Sequence, residues 1–216
     1  MGLSGGLDSA VSAVLCKEAL GRERVLCLIL PCESQKQDLR DAALVARRFN
    51  LKAKTVDITP IYRPCLKALP PGGRVARANL KVRLRMSVLY YFANTLHYLV
   101  CGTSNRSELM CGYFTKYGDG ASDILPLGGI FKTQVRRLAA LLGIPRRIIA
   151  KPPTAGLWPG QTDEKDLGIS YSQLDDILLR LQGKRKQIQH LAQVEKVRSY
   201  LQASEHKRRL PPICSI

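Results

Sequence analysis

Apolar and polar positions alternate with two periods along the first half of the chain. From Asp8 to Leu20 the apolar residues Val11, Val14 and Leu15 share one face, and the run stops at Gly21, which predicts a helix. Val25 to Leu30 is continuously apolar and ends at Pro31, as for a strand buried on both faces. Asp38 to Phe49 predicts a second helix and Ala53 to Ile58 a second buried strand. Tyr62 to Val75 is rich in Pro and Gly and reads as a loop; Arg77 to Ala93 is a long helix, and His97 to Cys101 a further strand. This rhythm predicts an α/β fold, a doubly wound parallel sheet flanked by helices, with ligands at the carboxyl ends of its strands.

Past Gly102 the pattern changes. Residues 111–130 are rich in Gly and Asp and show little periodicity. Thr133 to Leu142 predicts a helix stopped by Gly143 and Pro145. Residues 151–170 read as one long Pro/Gly/Thr loop, and loops of that length inside a domain carry function or move. Ser172 to Asp175 reads as a capping box opening a helix, a basic helical stretch follows from Lys184, and the chain closes on Pro211-Pro212. The C-terminal part is thus expected to be helical, and no repeat or linker divides the chain.

A length of 216 residues suffices for one well-buried domain. The net charge of +17 predicts anionic partners (nucleotides, phosphates or nucleic acid), with a generally basic surface as the alternative. No apolar run is long enough to span a bilayer and no signal pattern opens the chain. The seven cysteines include no C-x-x-C pair and read as reduced, mostly buried thiols of a cytoplasmic protein.

The chemistry begins at Gly2-Leu3-Ser4-Gly5-Gly6-Leu7-Asp8-Ser9, where hydroxyls and glycines crowd against a helix start. Unpaired N–H groups there can close around an oxyanion, and Asp8 adds a carboxylate that a divalent cation could bridge to phosphate. No Gly-Lys-Ser/Thr follows, so this is not a Walker A loop. Gly2-Leu3-Ser4-Gly5-Gly6 also fits the G-x-S-x-G of a nucleophile elbow, but that needs strands before it and only three residues precede Ser4. A glycine-rich turn capped by Ser4 or Asp8 stays open on these residues alone.

Ser4-Gly5-Gly6-Leu7-Asp8-Ser9 resembles the SGGxDS signature of the PP-loop ATP pyrophosphatases. Gly102-Thr103-Ser104-Asn105-Arg106-Ser107-Glu108 and the run from Gly112 to Asp123 resemble the NAD synthetase family. So do Lys132-Thr133, Lys151 to Trp158, Gly160 to Glu164, Leu167 to Tyr171, and Glu205-His206-Lys207-Arg208-Arg209, in the family's order. The resemblance implies ATP-dependent amidation of deamido-NAD to NAD with ammonia, through an adenylylated intermediate, with release of pyrophosphate and AMP. ATP is then a co-substrate and Mg2+ the metal.

The implied ATP contacts are Gly2, Leu3, Ser4, Gly5, Gly6, Leu7, Asp8, Ser9, Thr103, Lys132 and Thr154. The implied metal ligands are Asp8 and Glu108, and Arg83, Lys116, Asp123, His206 and Lys207 would contact deamido-NAD. By the same resemblance Asp8, Lys132 and Asp123 carry the catalytic roles, with Asp123 expected to orient the substrate or help deprotonate ammonium. Helical spacing supports Arg83, because it puts Lys81 and Arg85 on one basic stripe and Arg83 on the more apolar face. His97 and His190 are assigned to structure.

The family has a helix and most of a strand ahead of the glycine loop, so residues 1–216 are expected to be one NAD synthase domain short of that segment. No glutaminase domain is expected with these residues, so the resemblance implies ammonia as the nitrogen donor, unless a separate protein supplies it. A homodimer is expected, without membrane or nucleic-acid partners. Two alternatives remain: another PP-loop adenylylating enzyme, such as one that modifies tRNA, and a catalytically impaired nucleotide-binding protein.

Overall fold

A computed structural model describes residues 1–183 and 191–214, with the side chain of Leu191 outside the description. The helices and strands are α1 (Leu7–Leu20), β1 (Leu26–Ile29), α2 (Lys36–Arg48), β2 (Lys52–Thr55), α3 (Thr59–Ala68), α4 (Arg74–Leu96), α5 (Arg106–Cys111), α6 (Lys132–Leu141), α7 (Arg146–Ile149), α8 (Asp163–Leu167), α9 (Tyr171–Leu181) and α10 (Leu191–Ala203). The basic stretch expected from Lys184, and with it His190, falls mostly outside the described residues.

The sheet is parallel. β1 pairs with β2 in a register running from Leu26↔Lys52 to Ile29↔Thr55. On its other side β1 pairs with the chain's first residues: Gly2 bridges Leu28 in parallel, Leu3 N donates to Leu28 O at 2.8 Å, and Leu28 N donates to Met1 O at 2.8 Å. The first three residues thus supply strand enough to launch the phosphate loop from the sheet. A second parallel bridge joins Cys101 to Ile124, with Gly102 N donating to Ile124 O at 2.9 Å.

The main core lies between the first residues, α1, β1, α2, α6 and α7, around Leu3, Val11, Val14, Val45, Leu127, Val135 and Ile148. A second core packs α9 and α10 against α5 through Leu174, Leu178, Val194 and Val197. A third gathers Leu28, Ile58, Tyr62, Met86, Leu89 and Val100 under α4. Cys16, Cys27, Cys32, Cys101 and Cys111 are buried free thiols.

Several expectations are corrected. β2 is not buried: all four residues are exposed, and Lys52 and Lys54 mark it as a charged edge strand. Residues 97–101 make a single bridge at Cys101, because α4 runs on to Leu96 and His97 caps it in the left-handed conformation. The stretch 62–75 contains most of α3, which carries Pro60 favourably in its first turn and is pinned by buried Tyr62 despite the internal Pro64, and it contains the start of α4. The 151–170 stretch includes α8. The capping box of α9 is Ser170 with Gln173, two residues ahead of the expected one. Asp175 is instead a buried acceptor, as described below.

Candidate functional site

The phosphate loop is shaped by its own hydroxyls. Ser4 Oγ and Ser9 Oγ lie 3.0 Å apart, Gly6 N donates to Ser4 Oγ at 3.2 Å, and Ser9 Oγ donates to Gly6 O at 3.0 Å. The chain turns at Gly5 with φ +82°, and a Cβ there would stand 2.3 Å from Asp38 O and 2.9 Å from Ala42 N of α2. The loop therefore needs glycine twice over, for the left-handed backbone and for close approach to α2. α1 then runs away from the loop with Asp8 in its first turn.

Two further elements aim side chains at the same point. α5 opens with a capping box: Glu108 N donates to Asn105 Oδ1 at 3.0 Å and Asn105 N donates to Glu108 Oε2 at 3.2 Å. Fully buried Asn105 also donates through Nδ2 to Asp8 Oδ1 at 3.0 Å, so one residue orients both carboxylates. Lys132, at the start of α6, is 3% exposed; its ammonium pairs with Asp8 and reaches Glu108 Oε1 at 3.3 Å. Lys132 N donates to Ser107 Oγ at 2.9 Å. Buried Asp175 accepts from that same hydroxyl and from Thr133 N, tying α5, α6 and α9 together behind the site.

Electrostatics follow from this enclosure. Burial, with Asp8 and Asp163 nearby, pushes the Glu108 carboxyl up to about 8, although Lys132 opposes it. Burial disfavours the Lys132 ammonium, but Asp8 and Glu108 outweigh it and hold Lys132 above the ordinary lysine range. Asp163 is 4% exposed; its Oδ2 accepts from Tyr171 OH at 3.1 Å and its Oδ1 is buried without a hydrogen-bond partner. Burial raises its carboxyl as well.

These groups line a cavity of about 510 Å³. Gly2, Leu3, Ser4, Gly6, Leu7, Asp8, Ser9, Thr103, Glu108, Lys132, Thr154 and Lys207 are on its wall, so almost all of the expected ATP and metal residues meet there. Gly5 supports the loop from behind. Arg83, Lys116, Asp123 and His206 do not line it. Arg83, Lys116 and His206 instead form a chain: Arg83 Nε donates to Lys116 O at 3.3 Å and Lys116 Nζ donates to His206 O at 2.6 Å. Lys207 connects that chain to the cavity, with Nζ donating to Gly112 O at 2.7 Å and to Phe114 O at 2.8 Å.

The expected faces of α4 are reversed. Lys81 is buried over the Tyr62 ring and Arg83 is exposed, because α4 packs its Ala78, Val82, Met86 and Leu89 side inward. Arg85, assigned from the sequence to the basic stripe, lines the cavity and donates to Leu30 O at 3.1 Å and Ser34 Oγ at 3.3 Å. Asp123 is exposed and committed elsewhere, accepting from Val100 N at 2.6 Å and Tyr90 OH at 3.1 Å. The cavity-wall carboxylate of that loop is Asp119, itself exposed, which accepts from Thr115 N at 2.7 Å. Asn105, Arg85, Asp119 and Asp163 were thus missed as site residues; of these, Asn105 was legible in the Asn-x-x-Glu spacing that ends at Glu108.

The segment 151–162 borders the cavity. Lys151 anchors it to α2 through Asp38 at 2.5 Å and Asp41 at 3.2 Å, and the Trp158 ring lies 4.7 Å from the Arg74 guanidinium.

Among the described residues no three His, Cys, Asp or Glu side chains are gathered as a metal site. Asp8 and Glu108 are nonetheless two hard oxygen donors focused on one ammonium. That set fits a hard divalent cation whose other ligands are phosphate oxygens and water. Among the described residues no helix is long and apolar enough to cross a membrane.

Comparison with known proteins agrees with this geometry. The NAD synthase family model matches residues 1–211. The chain is 48% identical over 219 residues to the NH(3)-dependent NAD(+) synthetase of Archaeoglobus fulgidus, covering 100% of this chain and 87% of that protein. Its fold is similar to the NMN synthetase of Francisella tularensis (TM-score 0.89, 40% identity, 100% and 88% covered). It is also similar to the NH3-dependent NAD synthetase of Campylobacter jejuni, solved with nitrate ion (TM-score 0.85, 32% identity, 99% and 88% covered). Relatedness over the whole chain, on top of a phosphate loop facing two carboxylates and a lysine, places this protein in the NAD synthase family.

Proposed function

We propose that residues 1–216 form one NAD synthase domain that amidates deamido-NAD to NAD with ammonia. The observation that carries the reading is the convergence of Asp8, Glu108 and Lys132 on the cavity at the mouth of the phosphate loop. A carboxylate accepts ammonia poorly until its oxygen can leave. In the first step a nicotinate carboxylate oxygen attacks the α-phosphorus of ATP, the bond to the β-phosphate bridging oxygen breaks, and pyrophosphate departs. Ammonia then adds to the acyl carbon, and AMP leaves with the attacking oxygen.

The residues divide this work. Backbone N–H groups of the first turn of α1, Leu7 to Ser9, and the hydroxyls of Ser4 and Ser9 hold the departing pyrophosphate. Lys132 neutralises charge on the phosphates, and Thr103 and Thr154 orient the nucleotide. Asp8 and Glu108 would hold Mg2+, which when bound would supply charge neutralisation and orientation of the phosphates. Lys207 receives the dinucleotide from the cavity wall, and Arg83, Lys116 and His206, which lie off that wall, contact it on resemblance. Asp119, rather than Asp123, is the carboxylate on the wall that can take a proton from ammonium; Asp123 stays a substrate contact on resemblance alone. We read the protein as a cytoplasmic homodimer that works without nucleic acid or membrane.

The test is direct. Protein, ATP, Mg2+ and ammonium are mixed with deamido-NAD or with nicotinate mononucleotide. Formation of NAD with AMP from deamido-NAD is expected. Preferential amidation of the mononucleotide would move the protein to the activity named for the Francisella neighbour. ATP binding without turnover of either would refute the reading.

A further inference from the structure

The occupant of the carboxylate pair is the protein's own lysine. Lys132 Nζ pairs with Asp8 Oδ2 and stands 3.3 Å from Glu108 Oε1, between the two groups that a divalent cation would use. The pair is nearly closed to solvent, with side chains 16% and 15% exposed. Lys132 is held from behind: the Tyr171 ring lies 5.1 Å from Nζ, and Tyr171 OH reaches Asp163 Oδ2 at 3.1 Å. Its backbone is fixed by Ser107 Oγ at 2.9 Å. The open side faces the cavity and the phosphate loop.

A cation entering this pair must expel the ammonium or share the carboxylates with it at close range. Both cost electrostatic energy in a poorly hydrated pocket. The ammonium regains its charge partners when phosphates lie in the cavity in front of it. We propose that Lys132 is a resident competitor of the divalent cation, which keeps the carboxylate pair a weak metal site until a nucleotide is present. This rests on the ATP reading above and adds an order to it: nucleotide and metal enter together, and metal alone is held off.

The experiment follows free Mn2+ by electron paramagnetic resonance, with full-length protein and no nucleotide. Wild type is expected to bind weakly. Lys132→Met removes the competing charge and should tighten Mn2+ binding by about tenfold or more, whereas Lys132→Arg keeps the charge and should bind as weakly as wild type. Equal Mn2+ affinity in wild type and Lys132→Met, or Lys132→Arg as tight as Lys132→Met, would overturn the proposal. If the variants do not fold, wild type alone decides: Mg2+ without nucleotide should leave the melting temperature unchanged, and a rise of several degrees refutes the competition. The outcomes separate from the functional reading, because wild type can form NAD while Lys132→Met binds Mn2+ no better, or the reverse.

Discussion

Replacing Gly5 by Ala should damage this protein more than any ordinary left-handed glycine would. At Gly5 the backbone has φ +82° and the new methyl would sit 2.3 Å from Asp38 O and 2.9 Å from Ala42 N. The left-handed backbone alone costs a non-glycine residue about 1–2 kcal/mol. The overlap is with helix backbone, which cannot rotate aside as a side chain does. Relieving it requires α2 to move by about 1 Å, and overpacking of this kind adds roughly 1–3 kcal/mol. Together these give about 2–5 kcal/mol, or a melting temperature lower by roughly 4–20 °C for a chain of this size. Gly143 is the internal control: φ is +71°, and the nearest atom to an added Cβ is Arg48 Nη2 at 3.9 Å. Gly143→Ala should therefore lose only the backbone part, roughly 2–8 °C. Thermal unfolding of the two variants, each with its affinity for an ATP analogue, measures the difference. Equal losses, or a Gly5 variant as stable and as tight-binding as wild type, would refute the close approach of loop and helix.

Other consequences can be checked in parallel. Asp175→Ala strips the acceptor from Ser107 and from Thr133 N–H, so urea unfolding should show a loss of about 3 kcal/mol, with a lower kcat because Lys132 loses its seat; a loss under about 0.5 kcal/mol would contradict the network. With the Glu108 carboxyl raised to about 8, the folded metal-free protein binds a proton there that the unfolded chain has released. This group's contribution to stability is full below its ordinary range near 4.5 and is lost as pH rises through about 8. Wild type should then lose more stability than Glu108→Gln between pH 6 and pH 8.5, and parallel pH profiles would exclude the shift. Trp158 is the sole tryptophan and lies over Arg74 on the cavity wall, so its fluorescence should change when ATP and Mg2+ are added. Identical spectra would mean that segment 151–162 does not sense the nucleotide. Asp119→Asn should slow amidation even at saturating ammonia, whereas Asp123→Asn should not act on that step.

The fold was legible where the local signals were strong and short-ranged. The apolar run at 25–30, the glycine stop at Gly21 and the long periodic helix around Arg77 to Ala93 all read through to structure. What failed depended on contacts between distant segments. The exposure of β2 follows from its place at the edge of the sheet, which its own alternation does not record. The orientation of α4 was set by what packs beneath it, so Arg83 and Lys81 exchanged the environments that helical spacing suggested. Pro and Gly between 62 and 75 argued for a loop, yet buried Tyr62 holds a helix there.

The site divides in the same way. Ser4 to Ser9, Glu108 and Lys132 stand in motifs whose residue types name their chemistry, and the fold brings them to one cavity. Arg85 and Asp119 carry no such local signature. They matter because α4 and the loop after Tyr117 turn them toward the cavity, which only the assembled chain decides. Lys132 was expected to serve phosphate; its place between Asp8 and Glu108 gives it a second part that no motif records.

The central claim is adenylylation of a carboxylate followed by its replacement with ammonia. Deamido-NAD labelled with ¹⁸O in the nicotinate carboxylate, incubated with ATP, Mg2+, ammonium and the protein, tests it most directly. Mass spectrometry should find NAD, unlabelled pyrophosphate and AMP carrying one ¹⁸O atom. AMP without label, or ADP and labelled phosphate in place of AMP and pyrophosphate, would contradict it.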